Sequence, residues 1–136
     1  MKIVALLAML TTGVNLGQDQ TVTYNNVITN IGRAYDTKTG HCISLVNGVC
    51  IFSASIFTLP DHQVHLHMVR NGKVFISLFS QNNGWHLGSQ TIIVILEEGD
   101  IVWVKHDSTR HHDVPAKSTI TNSYNTFSGA LLQHME

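Results

Sequence analysis

The sequence predicts an all-β domain, on three observations. β-Branched and aromatic residues come in short runs, turn-forming residues punctuate those runs, and no window carries the apolar period of an amphipathic helix. The composition agrees: 43% apolar and 12% charged over 136 residues suits one folded domain with a lightly charged surface, the reverse of the balance in disordered chains. Short strands separated by turns close as a two-sheet sandwich or jelly roll.

Residues 1–17 carry one Lys, then Ile3 to Leu10 as an apolar run, then Thr, Gly and Asn. That layout predicts a secretory signal peptide over 1–17, cleaved after Gly13 or Gly17, with the globular domain at 18–136. The run is too short to span a bilayer, which takes about 20 residues. Its alternative is a buried first strand or helix. Thr21–Tyr24 and Val27-Ile28 read as opening strands. Tyr35–Phe52, which holds both cysteines, reads as one β-hairpin turning at Asn47-Gly48, with a second turn signal at Thr39-Gly40.

Cys50–Leu59 alternates as a long strand stopped at Pro60-Asp61. Gln63–Val69 and Lys73–Ser80 flank Asn71-Gly72, a type I′ pair, and make a second hairpin. Gln90–Leu96 and Ile101–Lys105, joined by Glu97-Glu98-Gly99-Asp100, make a third. Ser108–Lys117, polar and interrupted by Pro115, is a loop; Thr119–Thr121 and Phe127–Leu132 close the domain.

Charge excludes some functions. A net charge of −1 with scattered Lys and Arg leaves no basic footprint for nucleic acid and no polybasic patch for a membrane, so neither nucleic-acid binding nor membrane insertion is expected. Nine histidines against eight Lys plus Arg make the charge sensitive to pH between about 5 and 7. No nucleophile motif is present, and His41 and Cys42 as strand neighbours point to opposite faces, so the chain is not expected to be an enzyme.

Binding residues are proposed on chemistry. His65 and His67 alternate with Val64, Leu66 and Met68, so both imidazoles face one way; with His62 nearby they suit zinc or copper, against the alternative of a solvated His-rich face. His106-Asp107 and His111-His112-Asp113 form a second cluster at a loop. Trp85, with His86 beside it, could stack on a sugar or fold back onto the sandwich. Cys42 and Cys50 oppose each other if the hairpin turns on three residues centred at Val46, and a disulfide forms; a two-residue turn at Asn47-Gly48 leaves them out of register as two reduced thiols.

Six segments in order resemble the globular domain of the complement C1q family: Asn30-Ile31-Gly32-Arg33-Ala34-Tyr35-Asp36, Thr39-Gly40, Gly48-Val49-Cys50-Ile51-Phe52, Arg70-Asn71-Gly72, Glu98-Gly99-Asp100-Ile101-Val102-Trp103-Val104 and Phe127-Ser128-Gly129-Ala130-Leu131-Leu132. The resemblance implies an antiparallel jelly-roll β-sandwich shared with tumour necrosis factor-like cytokines and assembled as a homotrimer. It implies binding of microbial polysaccharides, other glycans or a protein receptor. Calcium is implied too, with Asp36, Asp100, Asp107 and Asp113 as the candidate oxygen ligands.

No Gly-X-Y stalk precedes the domain here, so the expectation is a secreted, stalkless recognition protein of innate immunity. A His-rich metal carrier and a cytokine-like receptor ligand are the rivals. The chain departs from the family pattern at Cys42 and Cys50, which stand where the resemblance leads one to expect aromatic rings.

Overall fold

The computed structural model describes residues 3–11, 14–58, 64–80, 86–107, 119–120 and 122–136, and for residues 14, 15, 80, 86, 119, 120 and 122 the backbone alone. These residues form twelve strands: β1 (Ala5–Met9), β2 (Val14–Asn15), β3 (Asn26–Ile31), β4 (Tyr35–Asp36), β5 (His41–Ile43), β6 (Gly48–Thr58), β7 (Val64–Arg70), β8 (Lys73–Ser80), β9 (His86–Leu96), β10 (Ile101–His106), β11 (Thr119–Ile120) and β12 (Thr126–His134). The first sheet runs β3-β1-β12-β6-β9, the second β4-β5-β10-β7-β8, and β2 pairs with β11. All pairings are antiparallel. This is the two-sheet jelly-roll sandwich that the sequence predicts.

β6 carries the first sheet. Its eleven residues alternate strictly, so that Cys50, Phe52, Ala54 and Ile56 face the core while Val49, Ile51, Ser53 and Ser55 face outward. Opposite them the second sheet contributes Val64, Leu66 and Met68 from β7 and Val102 and Val104 from β10. Phe127 lies among three rings, with centroids 5.8 Å from Tyr24, 6.1 Å from Tyr35 and 6.0 Å from Phe52, distances at which aromatic pairs gain beyond their area. The Tyr35 hydroxyl donates to the Tyr24 carbonyl at 2.9 Å.

Two sequence expectations change, and a third falls on a strand of the first sheet. The segment read as a leader contains β1, which lies between β3 and β12, and Leu6, Ala8, Leu10 and Leu16 belong to the core. A boundary at residues 17/18 would separate β1 and β2 from the strands they pair with. A short apolar run reads equally as an h-region or as a half-buried strand.

The expected hairpin over Tyr35–Phe52 is divided between the sheets. β4 and β5 turn at Thr39-Gly40, where Gly40 takes φ +75°, and pair Tyr35 with Cys42. The chain then crosses, and β6 pairs with β9 and β12 instead. Gly48 makes no positive-φ turn; it opens β6, where a Cβ would lie 2.5 Å from Leu131 Cδ1 and 2.7 Å from the Gln133 carbonyl oxygen. Close approach of strands is what requires glycine there. Cys42 and Cys50 accordingly belong to opposite sheets and are free thiols. The cross-strand register on which the disulfide expectation rested does not exist, because β5 and β6 are not paired with each other.

The third hairpin is likewise a crossing. Glu97–Asp100 turns with Gly99 at φ +92°, but β9 pairs with β6 along its full length while β10 pairs with β5 and β7. The hairpin at Asn71-Gly72 forms as predicted, with φ +52° and +89°.

Candidate functional site

The second sheet sets several polar and aromatic side chains on its outer face. Alternation along β7 buries Val64, Leu66 and Met68 and leaves His65 and His67 half-buried on the other side. Lys105 on β10 and Ser77 on β8 stand beside His67 as its cross-strand partners, and Phe79 stands beside His65. At the other end of the face His41 stacks on Trp103, ring centroids 4.6 Å apart and tilted by 31°.

His67 is held at both ring nitrogens. Nε2 is 2.8 Å from Asp107 Oδ2 and Nδ1 is 2.8 Å from Ser77 Oγ. A carboxylate only accepts, so Nε2 carries a proton and donates to Asp107, while Nδ1 and the Ser77 hydroxyl share the second bond. With His67 at 12% and Asp107 at 9% side-chain exposure, the pair is largely shielded from water. The amide of Asp107 donates to the His65 carbonyl at 2.9 Å, which fixes the carboxylate over the sheet. His65 stacks on Phe79 at 4.1 Å. Lys105 Nζ lies 3.9 Å from Asp19 Oδ1, a surface pair of little energetic weight. His106 points inward and its Nδ1 is 2.8 Å from the Gly17 carbonyl oxygen.

Of the predicted metal ligands, Asp36, His65, His67, Asp100 and Asp107 are described. His67 and Asp107 come together, but as a hydrogen-bonded pair with both imidazole nitrogens occupied, and no three His, Cys, Asp or Glu side chains gather among the described residues. Asp100 serves its turn: Oδ2 accepts from the Glu97 amide at 2.9 Å and Oδ1 from Asn71 Nδ2 at 2.9 Å. Those two bonds hold its carboxyl below the usual range. Asp36 Oδ1 accepts the Lys38 amide at 2.8 Å. Of the candidate calcium ligands that are described, Asp36 and Asp100 are thus engaged in turns and Asp107 in the His67 pair. His62, Trp85, His111, His112 and Asp113 lie outside the described residues, as does the side chain of His86.

Sequence reasoning missed Ser77 and the His41–Trp103 stack. Counting back from Arg70↔Lys73 across the hairpin would set Ile76 opposite His67; a bulge between Met68 and Val69 shifts the register by one and brings Ser77 there. Sequence alone offers no signal for that bulge.

Burial shifts two core groups near the sheet crossing. The Cys42 thiol is pushed up to about 12, first by burial and then by the neighbouring Cys50, whose own thiol burial also raises. Neither has the lowered pKa of a reactive cysteine.

Comparison with known proteins follows the geometry. The family model described as C1q domain matches residues 5–132. Human Complement C1q tumor necrosis factor-related protein 3 is 27% identical over 132 residues, covering 95% of this chain and 51% of that protein; the chain spans about half the length of this relative. Among solved structures, the globular domain of zebrafish Complement 1qA protein superposes with TM-score 0.80 at 18% identity, covering 98% of this chain and 100% of that one. Eiger TNF from S. frugiperda gives TM-score 0.78 at 11% identity, covering 100% and 96%. At those identities the structural likeness concerns the fold. No helix among the described residues is long and apolar enough to cross a membrane.

Proposed function

This chain belongs to the C1q-domain family, and from that premise we propose that it is a secreted recognition protein that assembles as a homotrimer and binds microbial or carbohydrate surfaces. It is not an enzyme: its relatives are ligand-type proteins of the C1q and tumour necrosis factor fold. The observation that carries the assembly is the outer face of the first sheet. Ile93 (66% exposed) and Ile95 (58%) on β9 stand beside Ile51 and Val49 of β6 in register, and β9 is an edge strand without a charged residue. An uncovered apolar sheet face next to an open edge favours burial by further copies of the same chain.

Assembly also serves recognition. One weak sugar contact per subunit becomes useful when several engage one surface together. The family model and the curated relative both bear the C1q name, of a complement protein, which supports a place in innate immunity, and the proposed ligand contacts are Trp85, His86, His111 and His112. Light scattering on the purified chain, with a panel of bacterial polysaccharides tested with and without calcium, examines both halves. A trimer that retains at least one polysaccharide is the expected result; a persistent monomer or an empty panel overturns the corresponding half. Ile93→Glu is expected to give monomer and to lose retention on the polysaccharide.

A further inference from the structure

Between the sheets, where β5 gives way to β6, lies a cavity of about 30 Å³. Cys42 from one sheet and Cys50 from the other line it, with Leu6, Leu45 and Leu96. The hydroxyl of Ser44, also on its wall, is held by the Val46 carbonyl at 2.8 Å. The rest of the lining is apolar apart from the two weakly polar thiols, and an apolar cavity of this kind stays dry and takes apolar guests.

A second concavity of about 590 Å³ opens on the surface beside it, lined by Ile3 and Leu132 with Glu98 and His134. Val46 and Leu131 line both spaces. These two side chains stand where the two spaces adjoin, and each sits on irregular backbone: Val46 in the connection between β5 and β6, Leu131 at the β12 bulge, where the register shifts before Gln133. Rotation of two side chains joins groove to cavity without breaking a strand.

We propose that groove and cavity together form a binding site for a straight alkyl chain bearing a small polar head. The cavity has room for roughly two carbon-sized groups, at 10–15 Å³ per probe sphere. The remaining chain lies along Ile3, Leu131 and Leu132, and the head reaches Glu98 or His134. This site goes beyond the glycan recognition and trimer assembly proposed above.

Methyl-resolved NMR on the full chain, with xenon and then 1-alkanols from butanol to octanol as probes, tests it. Xenon is expected to shift the methyl signals of Leu6, Leu45 and Leu96 and to leave Ile28 unmoved. Alkanol affinity is expected to rise about fourfold per added methylene until the chain end reaches the cavity floor. Cys50→Leu, which fills the cavity, is expected to abolish the xenon shifts; should it fail to fold, Cys42→Val serves with the same expectation. Methyl signals indifferent to both probes, or equal shifts in the filled variant, overturn the site. Xenon shifts without an alkanol response overturn the alkyl ligand and its path through the groove.

Discussion

Cys42 and Cys50 face the same cavity from opposite sheets, as two thiols on β5 and β6. They are the only cysteines of the chain, so their state can be counted directly. Unfolded without reductant, the protein is expected to show two reactive thiols per chain; none would mean a bridge and a different approach of the sheets. In the folded protein at pH 8, alkylation of Cys42 is expected to be slowed at least a hundredfold, on the order of what a thiol raised by several units and shielded from reagent should show. Mass spectrometry after timed labelling measures it.

The same groups set an alkaline limit. Cys42 and Tyr35 are both pushed up to about 12, chiefly by burial, whereas in the unfolded chain a thiol ionises near about 8.5 and a phenol near about 10. Above pH ~8.5 the unfolded state therefore binds fewer protons than the folded one, and stability falls with rising pH. The contribution is fully present below that value and is lost progressively toward pH ~12. Denaturant melts at pH 7, 9 and 10.5 are expected to show a falling midpoint; an unchanged midpoint contradicts the assignment.

Two tyrosines of the aromatic cluster should answer oppositely to loss of the hydroxyl. Tyr24 Oη is fully buried and has no hydrogen-bond partner among the described residues. Tyr24→Phe removes an unsatisfied group and is expected to be neutral or to stabilise by about 1 kcal/mol. Tyr35→Phe loses the bond to the Tyr24 carbonyl and leaves that oxygen unpaired, for a loss of about 1–2 kcal/mol. Urea unfolding of both variants distinguishes them.

Asp107→Ala deprives the His67 imidazole of its acceptor and is expected to destabilise by about 1–3 kcal/mol. Asp107→Asn, which can still accept from Nε2 through its amide oxygen, should recover most of that. In the wild type the His67 Nε2 proton should be visible by NMR as a slowly exchanging signal, since the pair is shielded from water. Its loss in Asp107→Ala with retention in Asp107→Asn is the expected pattern.

Residues 18–136 expressed alone are expected not to fold. The cut removes β1 from the middle of the first sheet, leaving β3 and β12 without their shared neighbour. It also removes Leu6, Leu10 and Leu16 from the core. At about 1.5–3 kcal/mol for each buried leucine, those three alone rival the whole stability of an ordinary domain, about 5–15 kcal/mol. Circular dichroism and amide dispersion of 18–136 beside 1–136 check this; a cooperative, dispersed fragment would support the boundary at residue 18.

Some of this is legible in the residues alone. The period of two in Val64–Met68 sets His65 and His67 on one outward face, and Asn71-Gly72 makes its hairpin, because both follow from local backbone preference. The ordered Gly, Asn and aromatic punctuation from Asn30 to Leu132 also carries the family. Partnership is another matter. Alternation says that a strand exists and which side is buried; it does not say which strand lies beside it, since backbone ladders are chemically alike along every run. So the sheet crossings after Ile43 and after Leu96, the place of Ala5–Met9 within the first sheet, the bulge that brings Ser77 to His67 and the meeting of Cys42 with Cys50 were all decided by tertiary packing. That packing brings together residues far apart in the chain, and the pattern of any single segment holds no record of them.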